Sequence, residues 1–306
     1  MKRLFYKIKF LHHEVGIIGL IKIIYEKIIF IFKIPSILLV FKNNKYKIMF
    51  HNDGDNFILI PKLSTKKAFL NYRFTNMLYT LNKRSDYEKL LRNLVYKLYE
   101  NNFIKNDKSI IDIGAWIGDN SLIWSKFLKK TANVYAIDPS KVNLSFIEII
   151  KKHNGIENIL CINAVCSDAE NINLSFIGSI NHATFSKEMV NANNYVKSKT
   201  LDSIVSGAEI GLMHLDVEGH EYEVLLGSKK IIEKNLPVII FEQHTSNKKH
   251  KEIINFLRKY NYKIYMINEI LLGNNTDCMN LIAFNEGFLE DKFFELIPDN
   301  SLLKVI

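Results

Sequence analysis

Short apolar runs alternate with amphipathic segments along the chain from residue 109 onward. The runs are rich in Ile, Val, Leu and Tyr, as strands are, whereas the segments between them carry apolar residues at helical spacing. Strands are predicted at 109–114, 133–138, 157–167, 210–216, 237–243, 262–268 and 278–285. Helices are predicted at 119–130, 140–152, 221–234 and 251–260. This alternation predicts a parallel sheet covered on both faces.

The last two predicted strands lie too close in sequence for a helical crossover, so one of them is expected to run antiparallel. Five strand–helix units followed by a β-hairpin are the layout of class I methyltransferases, a variant of the doubly wound fold. The predicted fold class is therefore α/β and Rossmann-like, with a seven-stranded, mostly parallel sheet in residues 106–306. Residues 1–105 are expected to form an N-terminal extension with a basic helix and a small α/β region.

The N-terminal extension has its own patterns. Residues 37–60 hold short β-prone runs separated by Asn, Asp and Gly, which predicts a hairpin or meander. Residues 62–105 predict helix. Residues 17–41 are very apolar, but charged residues between 22 and 27 make a membrane span unfavourable, at roughly 3 kcal/mol each near the bilayer centre. Two interpretations of residues 1–41 stay open: a basic interfacial helix on anionic lipid, or a helix that packs on the core.

The charge of the chain is localised. Residues 1–50 contain ten basic and two acidic side chains, which accounts for +8 of the total net charge of +9. A nucleic-acid-binding protein spreads basic residues along a groove, so we expect no nucleic-acid partner. The three cysteines form no CxxC pair, which favours a reduced, cytoplasmic protein, with peripheral contact to the inner face of the membrane as the alternative that residues 1–41 leave open.

The first predicted strand ends in a glycine-rich turn of the form DxGxxxG, from Asp112 to Gly118. A strand-to-helix turn with glycines lets a ligand approach the backbone. A dinucleotide site would have GxGxxG and would disfavour an acid in the turn, because a carboxylate repels pyrophosphate. A carboxylate suits a cationic ammonium or sulfonium group, and S-adenosylmethionine carries both. The predicted cofactor-binding residues of this turn are Asp112, Gly114, Ala115, Trp116 and Gly118.

The ends of the next two strands add to the predicted cofactor site. Asp138, followed by Pro139, ends the second strand 26 positions after Asp112, where an acid accepts hydrogen bonds from ribose hydroxyls. Asn163 and Ala164 end the third strand and are predicted to flank the adenine. Asn163 could equally serve only as a turn residue.

The motifs IIDIGAWIGDNS, YAIDPS, TLDSI, LDVEGHEYEVLLG and VIIFEQH, taken in this order, resemble those of the FkbM family of S-adenosylmethionine-dependent methyltransferases. The resemblance covers roughly residues 105–285 and is tightest from Asp216 to Glu221. It implies O-methylation of a hydroxyl, often on a sugar or polyketide. The expected partner is therefore a small molecule or a glycan, such as one used in surface glycan assembly.

The predicted catalytic edge lies at the carboxyl ends of strands four and five. Asp216 and Glu242 end these strands, near the expected methyl donor. The preferred mechanism is metal-independent, with Asp216, Glu218 or His220 as the base that accepts the hydroxyl proton. The alternative is Mg²⁺ held by Asp216, Glu242 and Gln243.

Residues 170–199 are predicted to be a long polar loop that covers the site or contacts the substrate. The alternative to an enzyme is a non-catalytic, membrane-docked module that keeps the fold and binds a nucleoside or glycan without turnover.

Overall fold

The computed structural model describes residues 46–50, 56–60, 88–179, 182–186, 195–244, 249–267, 278–297 and 302–304. The strands are β1 (Tyr46–Phe50), β2 (Asn56–Ile60), β3 (Ser109–Ile113), β4 (Val134–Asp138), β5 (Ile159–Asn163), β6 (Val165–Cys166), β7 (Asn173–Ser179), β8 (His182–Ser186), β9 (Tyr195–Lys199), β10 (Ile210–Leu215), β11 (Val238–His244), β12 (Tyr262–Ile267), β13 (Cys278–Asn285) and β14 (Leu302–Lys304). The helices are α1 (Lys89–Glu100), α2 (Ser121–Trp124), α3 (Lys141–Asn154), α4 (Leu201–Ile204), α5 (Glu221–Leu226), α6 (Lys229–Asn235), α7 (His250–Lys259) and α8 (Glu290–Phe294).

The main sheet has eight strands in the order β14-β12-β13-β11-β10-β3-β4-β5. Strands β11, β10, β3, β4 and β5 are parallel to their neighbours in that run, and β13 is antiparallel to both β11 and β12. The prediction of seven strands with a closing hairpin is confirmed, and β14 adds an edge strand against β12. This is the topology of the class I methyltransferase fold.

The central strands are buried along their whole length. All residues of β3 and all residues of β10 are buried, because helices cover both faces of the sheet. This explains why their sequences are continuous apolar runs rather than alternating ones. Two of the polar exceptions, Asp112 in β3 and His214 in β10, are opposite each other in the register, so they meet in the core.

A second sheet, in the order β6-β9-β7-β8, occupies much of the region predicted to be a loop. The prediction for residues 170–199 was therefore wrong where the structure describes them. The sequence does not predict these strands because their buried face is partly polar. Ser198, for example, is buried between exposed Lys197 and Lys199, so the strand shows no alternation of apolar and polar residues. The predicted third strand likewise divides, with Ile159–Asn163 in the main sheet and Val165–Cys166 in the second.

The helix predicted at 119–130 is shorter in the structure, where α2 gives way to a 3₁₀ turn at Ser125–Phe127. Helix α1 lies in the predicted helical region 62–105, and its Leu91, Leu94 and Leu98 are fully buried or nearly so. Strands β1 and β2 pair in a two-stranded sheet, as the pattern of residues 37–60 predicts.

The chain divides into two compact units, Met1–Tyr46 with Ile60–Asn76 and Lys47–Leu59 with Met77–Ile306. The predicted basic helix in residues 1–41 lies outside the described residues, and the boundary after residue 105 stays a prediction. Within the described part of the chain, no helix is both long and apolar enough to cross a bilayer.

Candidate active site

The glycine turn after β3 is pressed against the end of β10. Gly114 has a φ of +80°, and a Cβ placed on it would lie 1.8 Å from the carbonyl oxygen of Asp216. The N–H of Asp216 in turn donates to the carbonyl of Ile113 at 2.9 Å. Only glycine fits here, both for its φ and for the space. The turn therefore fixes the backbone of the predicted cofactor loop next to the predicted catalytic strand end.

Gly118, at the other end of the turn, also has a positive φ of +78°, and a Cβ on it would meet the side chain of Ile147 at 2.9 Å. Between the two glycines, Ala115 is buried and Trp116 is half-buried with a φ of +44°. A left-handed conformation costs a bulky side chain of order 1–3 kcal/mol and persists only where the surroundings impose it. The loop is thus held in one unusual conformation.

Asp138 supplies the contact that holds this loop. Its Oδ2 accepts the backbone N–H of Trp116 at 2.9 Å, and its Oδ1 accepts the N–H of Ser140 at 2.7 Å and the side-chain amide of Asn143 at 3.1 Å. Burial raises the pKa of Asp138 to about 6, which these hydrogen bonds partly oppose and the charge of Asp112 reinforces. A carboxylate has about four acceptor positions, so Asp138 retains capacity for a ligand hydroxyl.

Asn163 lies beside Asp138 at the end of the neighbouring strand. Its amide nitrogen donates to the backbone carbonyls of Asp138 and Pro139, at 3.1 and 2.7 Å. Ala164 is buried next to it. The predicted cofactor residues of β3, β4 and β5 thus meet at one edge of the sheet, but the amide of Asn163 is occupied in holding the turn after β4 rather than pointing a donor at an adenine.

Asp112 lies beneath the turn instead of on its surface. Its side chain is buried, Oδ1 is 2.8 Å from Nδ1 of His214, and Oδ2 accepts a hydrogen bond from the hydroxyl of Ser121. Burial lowers the pKa of His214, but the hydrogen bond and charge of Asp112 outweigh it, and the net shift is upward. Asp112 and His214 are therefore partners inside the fold, and this geometry does not meet the expectation that the carboxylate of Asp112 faces a cationic ligand.

Asp216 and Glu242 form the carboxylate pair at the catalytic edge. Strands β10 and β11 are parallel neighbours with Leu215 opposite Phe241, which sets Asp216 and Glu242 side by side one residue further on. The pKa of Asp216 lies well above its usual range, because of burial first and then the charge and hydrogen bond of Glu242. Two ionised carboxylates this close repel each other, so Asp216 holds its proton more tightly than an isolated carboxyl group does.

Gln243 does not join this pair. Neighbouring residues of a strand point to opposite faces, so its side chain lies on the other side from that of Glu242. Gln243 is buried there, with Nε2 3.4 Å from Glu221 Oε2 and Oε1 3.2 Å from His250 Nδ1. The predicted Mg²⁺ ligand set of Asp216, Glu242 and Gln243 is thus not assembled. Among the described residues, no three His, Cys, Asp or Glu side chains are arranged to hold a metal.

The turn after β10 carries the remaining predicted residues. Glu218 is half-buried with a φ of +53°, and its charge contributes to the raised pKa of Asp216. His220 is buried, with Nε2 3.0 Å from Ser167 Oγ and Nδ1 3.7 Å from a carboxylate oxygen of Glu223. Both ring nitrogens of His220 therefore face partners within the fold, which favours a structural role for it over that of a base.

Glu221, next in the same turn, is also buried. Its Oε1 accepts the backbone N–H of Gly219 at 3.0 Å. Burial raises the pKa of Glu221 to about 7, against hydrogen bonds from the turn that lower it. Glu221 thus ties the turn after β10 to the start of α5.

The start of α1 brings a group of polar residues to this edge that the sequence analysis missed. Arg92 is buried, and its guanidinium donates to Asn120 Oδ1 at 2.9 Å and Asp119 Oδ2 at 3.3 Å. Glu88 accepts a hydrogen bond from the amide of Asn120 at 3.1 Å. The periodicity of α1 marks Arg92 only as a polar position, and a sequence pattern gives no signal that this position faces the turn after Gly118.

This topology, with a glycine turn after β3, an acid ending β4 and a carboxylate pair at β10 and β11, defines a class I methyltransferase. The model of the methyltransferase FkbM domain matches residues 112–264. The chain belongs to the FkbM methyltransferase family.

Solved structures similar to the chain include three methyltransferases. The first is methyltransferase FkbM from Methylobacillus flagellatus KT, with 14% identity, 82% of this chain and 59% of that chain covered, and a TM-score of 0.44. The second is a ribosomal protein L11 methylase from Lactobacillus delbrueckii subsp. bulgaricus, with 14% identity and a TM-score of 0.38. The match covers 63% of this chain and 76% of the methylase. The third is a precorrin-6y C5,15-methyltransferase from Geobacter metallireducens GS-15, with 12% identity and a TM-score of 0.40. The match covers 65% of this chain and 88% of the methyltransferase.

The match spans 59% of the length of the Methylobacillus protein. Curated protein sequences yield no match to this chain.

Proposed function

We propose that this chain is an S-adenosylmethionine-dependent O-methyltransferase that acts on a hydroxyl of a sugar during surface glycan assembly. The observation that carries the proposal is the position of Asp216 and Glu242 side by side at the ends of parallel strands, held beside the glycine turn by the close approach of Gly114 to Asp216. A base at the cofactor loop is what transfer of a methyl group to a hydroxyl requires. The sugar class comes from the family resemblance.

The residues of the turn fit the proposed cofactor. The carboxylate of Asp138 is fixed at the end of β4 by three hydrogen bonds and is placed to accept ribose hydroxyls. The space of the missing Cβ at Gly114 is filled by the carbonyl oxygen of Asp216, which keeps the turn next to the end of β10. S-adenosylmethionine supplies an electrophilic methyl group on a sulfonium centre. The chain itself has only to align the acceptor hydroxyl with that methyl group and to take up its proton.

The carboxylate pair serves as the proton acceptor in this proposal. As the oxygen of the acceptor forms its new bond to carbon, its proton passes to the carboxylate of Asp216. When bound, S-adenosylmethionine would supply the methyl group and would leave as the neutral thioether. Burial and the neighbouring charge of Glu242 raise the pKa of Asp216, so its ionised carboxylate is a stronger base than Asp in water. Glu218 adds negative charge beside it.

The test is transfer of labelled methyl from S-adenosylmethionine to a panel of sugar nucleotides, lipid-linked sugars and glycan extracts, with the full chain. The proposal predicts label in a base-stable ether on a sugar, with activity unchanged by excess EDTA. Label on protein or nucleic acid would contradict the proposed acceptor. Cofactor binding without transfer to any acceptor in the panel would favour the non-catalytic binding module instead.

Fractionation of the chain with and without residues 1–34 tests the proposed peripheral membrane contact separately.

A further inference from the structure

The ammonium group of the proposed cofactor needs an acceptor other than Asp112. The side chain of Asp112 is only 1% exposed as a residue and is engaged by His214 and Ser121 on its two oxygens. Because Asp112 is buried beneath the turn, a cationic amine on the open side of the glycine turn has no direct access to these oxygens. The carboxylate that meets it must come from another element.

Glu88 is placed to be that carboxylate. It immediately precedes α1 and has a φ of +52°, a left-handed conformation. Its Oε2 lies 3.1 Å from the amide of Asn120 and 3.6 Å from the guanidinium of Arg92. Its side chain is 12% exposed, so it is mostly enclosed yet still accessible from the solvent side.

The charge of Glu88 acts on residues at the end of β10. It is among the charges that raise the pKa of Asp216 and of His214, after burial and the nearer partners of each. Asp216 is the residue whose carbonyl oxygen contacts Gly114. Glu88 therefore lies within electrostatic range of the point where the glycine turn and β10 meet.

Arg92 holds Glu88 in this place. The guanidinium is buried and makes contacts with Asn120, Asp119 and Glu88 together, so it joins the first turn of α1 to the segment after Gly118. Burial of a guanidinium is costly unless its donors are satisfied, which makes this arrangement a rigid one. Arg92 thus fixes the distance between α1 and the cofactor turn.

We propose that Glu88 accepts the ammonium group of the methionine part of S-adenosylmethionine, and that Arg92 is its positioning residue. The proposal rests on the proposed function. It makes the start of α1 a third wall of the cofactor site, beside the glycine turn and the end of β10. Only the whole cofactor carries the amino-acid group. A carboxylate that binds its ammonium group therefore favours the whole cofactor over its adenosine part.

The experiment compares two probes by calorimetric titration of the full chain. S-adenosylhomocysteine carries the amino-acid group, whereas 5′-methylthioadenosine keeps the adenosine and the thioether but lacks it. For Glu88→Gln we expect the affinity for S-adenosylhomocysteine to fall about 10- to 100-fold, the effect of losing a hydrogen bond between charged groups. The affinity for 5′-methylthioadenosine stays within about twofold of the wild type, the usual scatter for a group that makes no contact.

Glu100→Gln is the matched control, since Glu100 ends the same helix and is exposed; it leaves both affinities unchanged. Arg92→Lys keeps the charge but loses the planar fork, and we expect it to raise KM for S-adenosylmethionine more than it lowers kcat. Should Glu88→Gln not fold, Glu88→Asp, which keeps the charge but withdraws it by one methylene, replaces it with the same expected selectivity.

Equal affinities of wild type and Glu88→Gln for S-adenosylhomocysteine would overturn the proposal. Equal losses for both probes would also overturn it, because they would indicate a general structural effect. A wild-type chain that binds neither probe would instead refute the proposed function, and the role of Glu88 with it.

Discussion

Gly114 and Asp216 touch through their backbones, so that the space for a Cβ on Gly114 is filled by the carbonyl oxygen of Asp216. The contact joins the end of β3 to the end of β10, two neighbouring strands of the sheet. It makes the conformation of the cofactor turn and the position of the catalytic edge depend on each other. A change at Gly114 should therefore affect both binding and catalysis.

Gly114→Ala tests this contact. The added methyl group must enter the left-handed region and displace the carbonyl of Asp216, so we expect a loss of about 3 kcal/mol or more of unfolding free energy. Gly155→Ala is the matched control, because Gly155 has a φ of +63° but nothing within 4 Å of its Cβ position. It should cost only the conformational term, about 1 to 2 kcal/mol. Urea unfolding measures both, and equal losses for the two variants would disprove the contact.

The carboxylate pair leads to a prediction on catalysis. Glu242→Gln and Asp216→Asn should each lower kcat about 10²- to 10⁴-fold, the usual contribution of a general base, while affinity for S-adenosylhomocysteine changes much less. In the wild type, activity should fall as the pH drops through the raised pKa of Asp216, because its protonated carboxyl group accepts no further proton. Glu252→Gln, on the exposed face of α7, is the control. Wild-type turnover in either pair variant would exclude that residue as the base.

Glu221 links stability to pH. Burial raises its pKa from the ordinary 4.5 to about 7, so the folded chain binds a proton more tightly than the unfolded chain between these values. Its contribution to stability is therefore lost as the pH rises from 4.5 to 7, by about 3 kcal/mol in all. Glu221→Gln removes this titration. We expect the unfolding free energy of the variant, relative to that of the wild type, to be higher at pH 8 than at pH 4 by up to that amount, as measured by urea unfolding. The same pH dependence in both proteins would contradict the raised pKa of Glu221.

The pair of Asp112 and His214 contributes to stability with the same sign of pH dependence, over a higher pH range. The folded pKa of His214 is raised above the ordinary 6.5, so its stabilisation is fully present below 6.5 and is lost as the pH rises through the folded value. Asp112→Asn or His214→Gln should each cost about 3 to 5 kcal/mol, because one buried partner stays without its counterpart. The double variant should cost less than the sum of the two. Additive losses in urea unfolding would show that the two side chains do not interact.

The sequence predicted the main sheet well because its strands are buried on both faces and read as unbroken apolar runs. Asp138, Asp216 and Glu242 lie at one edge of the sheet, as predicted for residues that end parallel strands, and their roles at that edge stay predictions. The sequence failed where contacts depend on packing that no local pattern records. The burial of Asp112 follows from its partner His214 across the sheet, which lies 102 residues away in the chain.

Three other failures have equally physical causes. The polar strands Asn173–Ser179 and Tyr195–Lys199 have too few apolar residues to show an alternating pattern. Arg92 looks like a solvated position of an amphipathic helix, and only the approach of α1 to the turn after Gly118 makes it a buried one. Gln243 was placed with Glu242 because they are adjacent in sequence, although adjacent residues of a strand face opposite ways.

The most direct test of the central claim is a competition titration of the full chain, with S-adenosylhomocysteine bound first and NADH or S-adenosylmethionine added second. The account predicts saturable binding that S-adenosylmethionine displaces and NADH does not, and about 10- to 100-fold weaker binding by Asp138→Asn, since the ribose loses a charged acceptor. If the wild-type chain gives no heat with either sulfur nucleoside, or if Asp138→Asn binds as tightly as the wild type, the edge of the sheet around Asp138 is not a cofactor site.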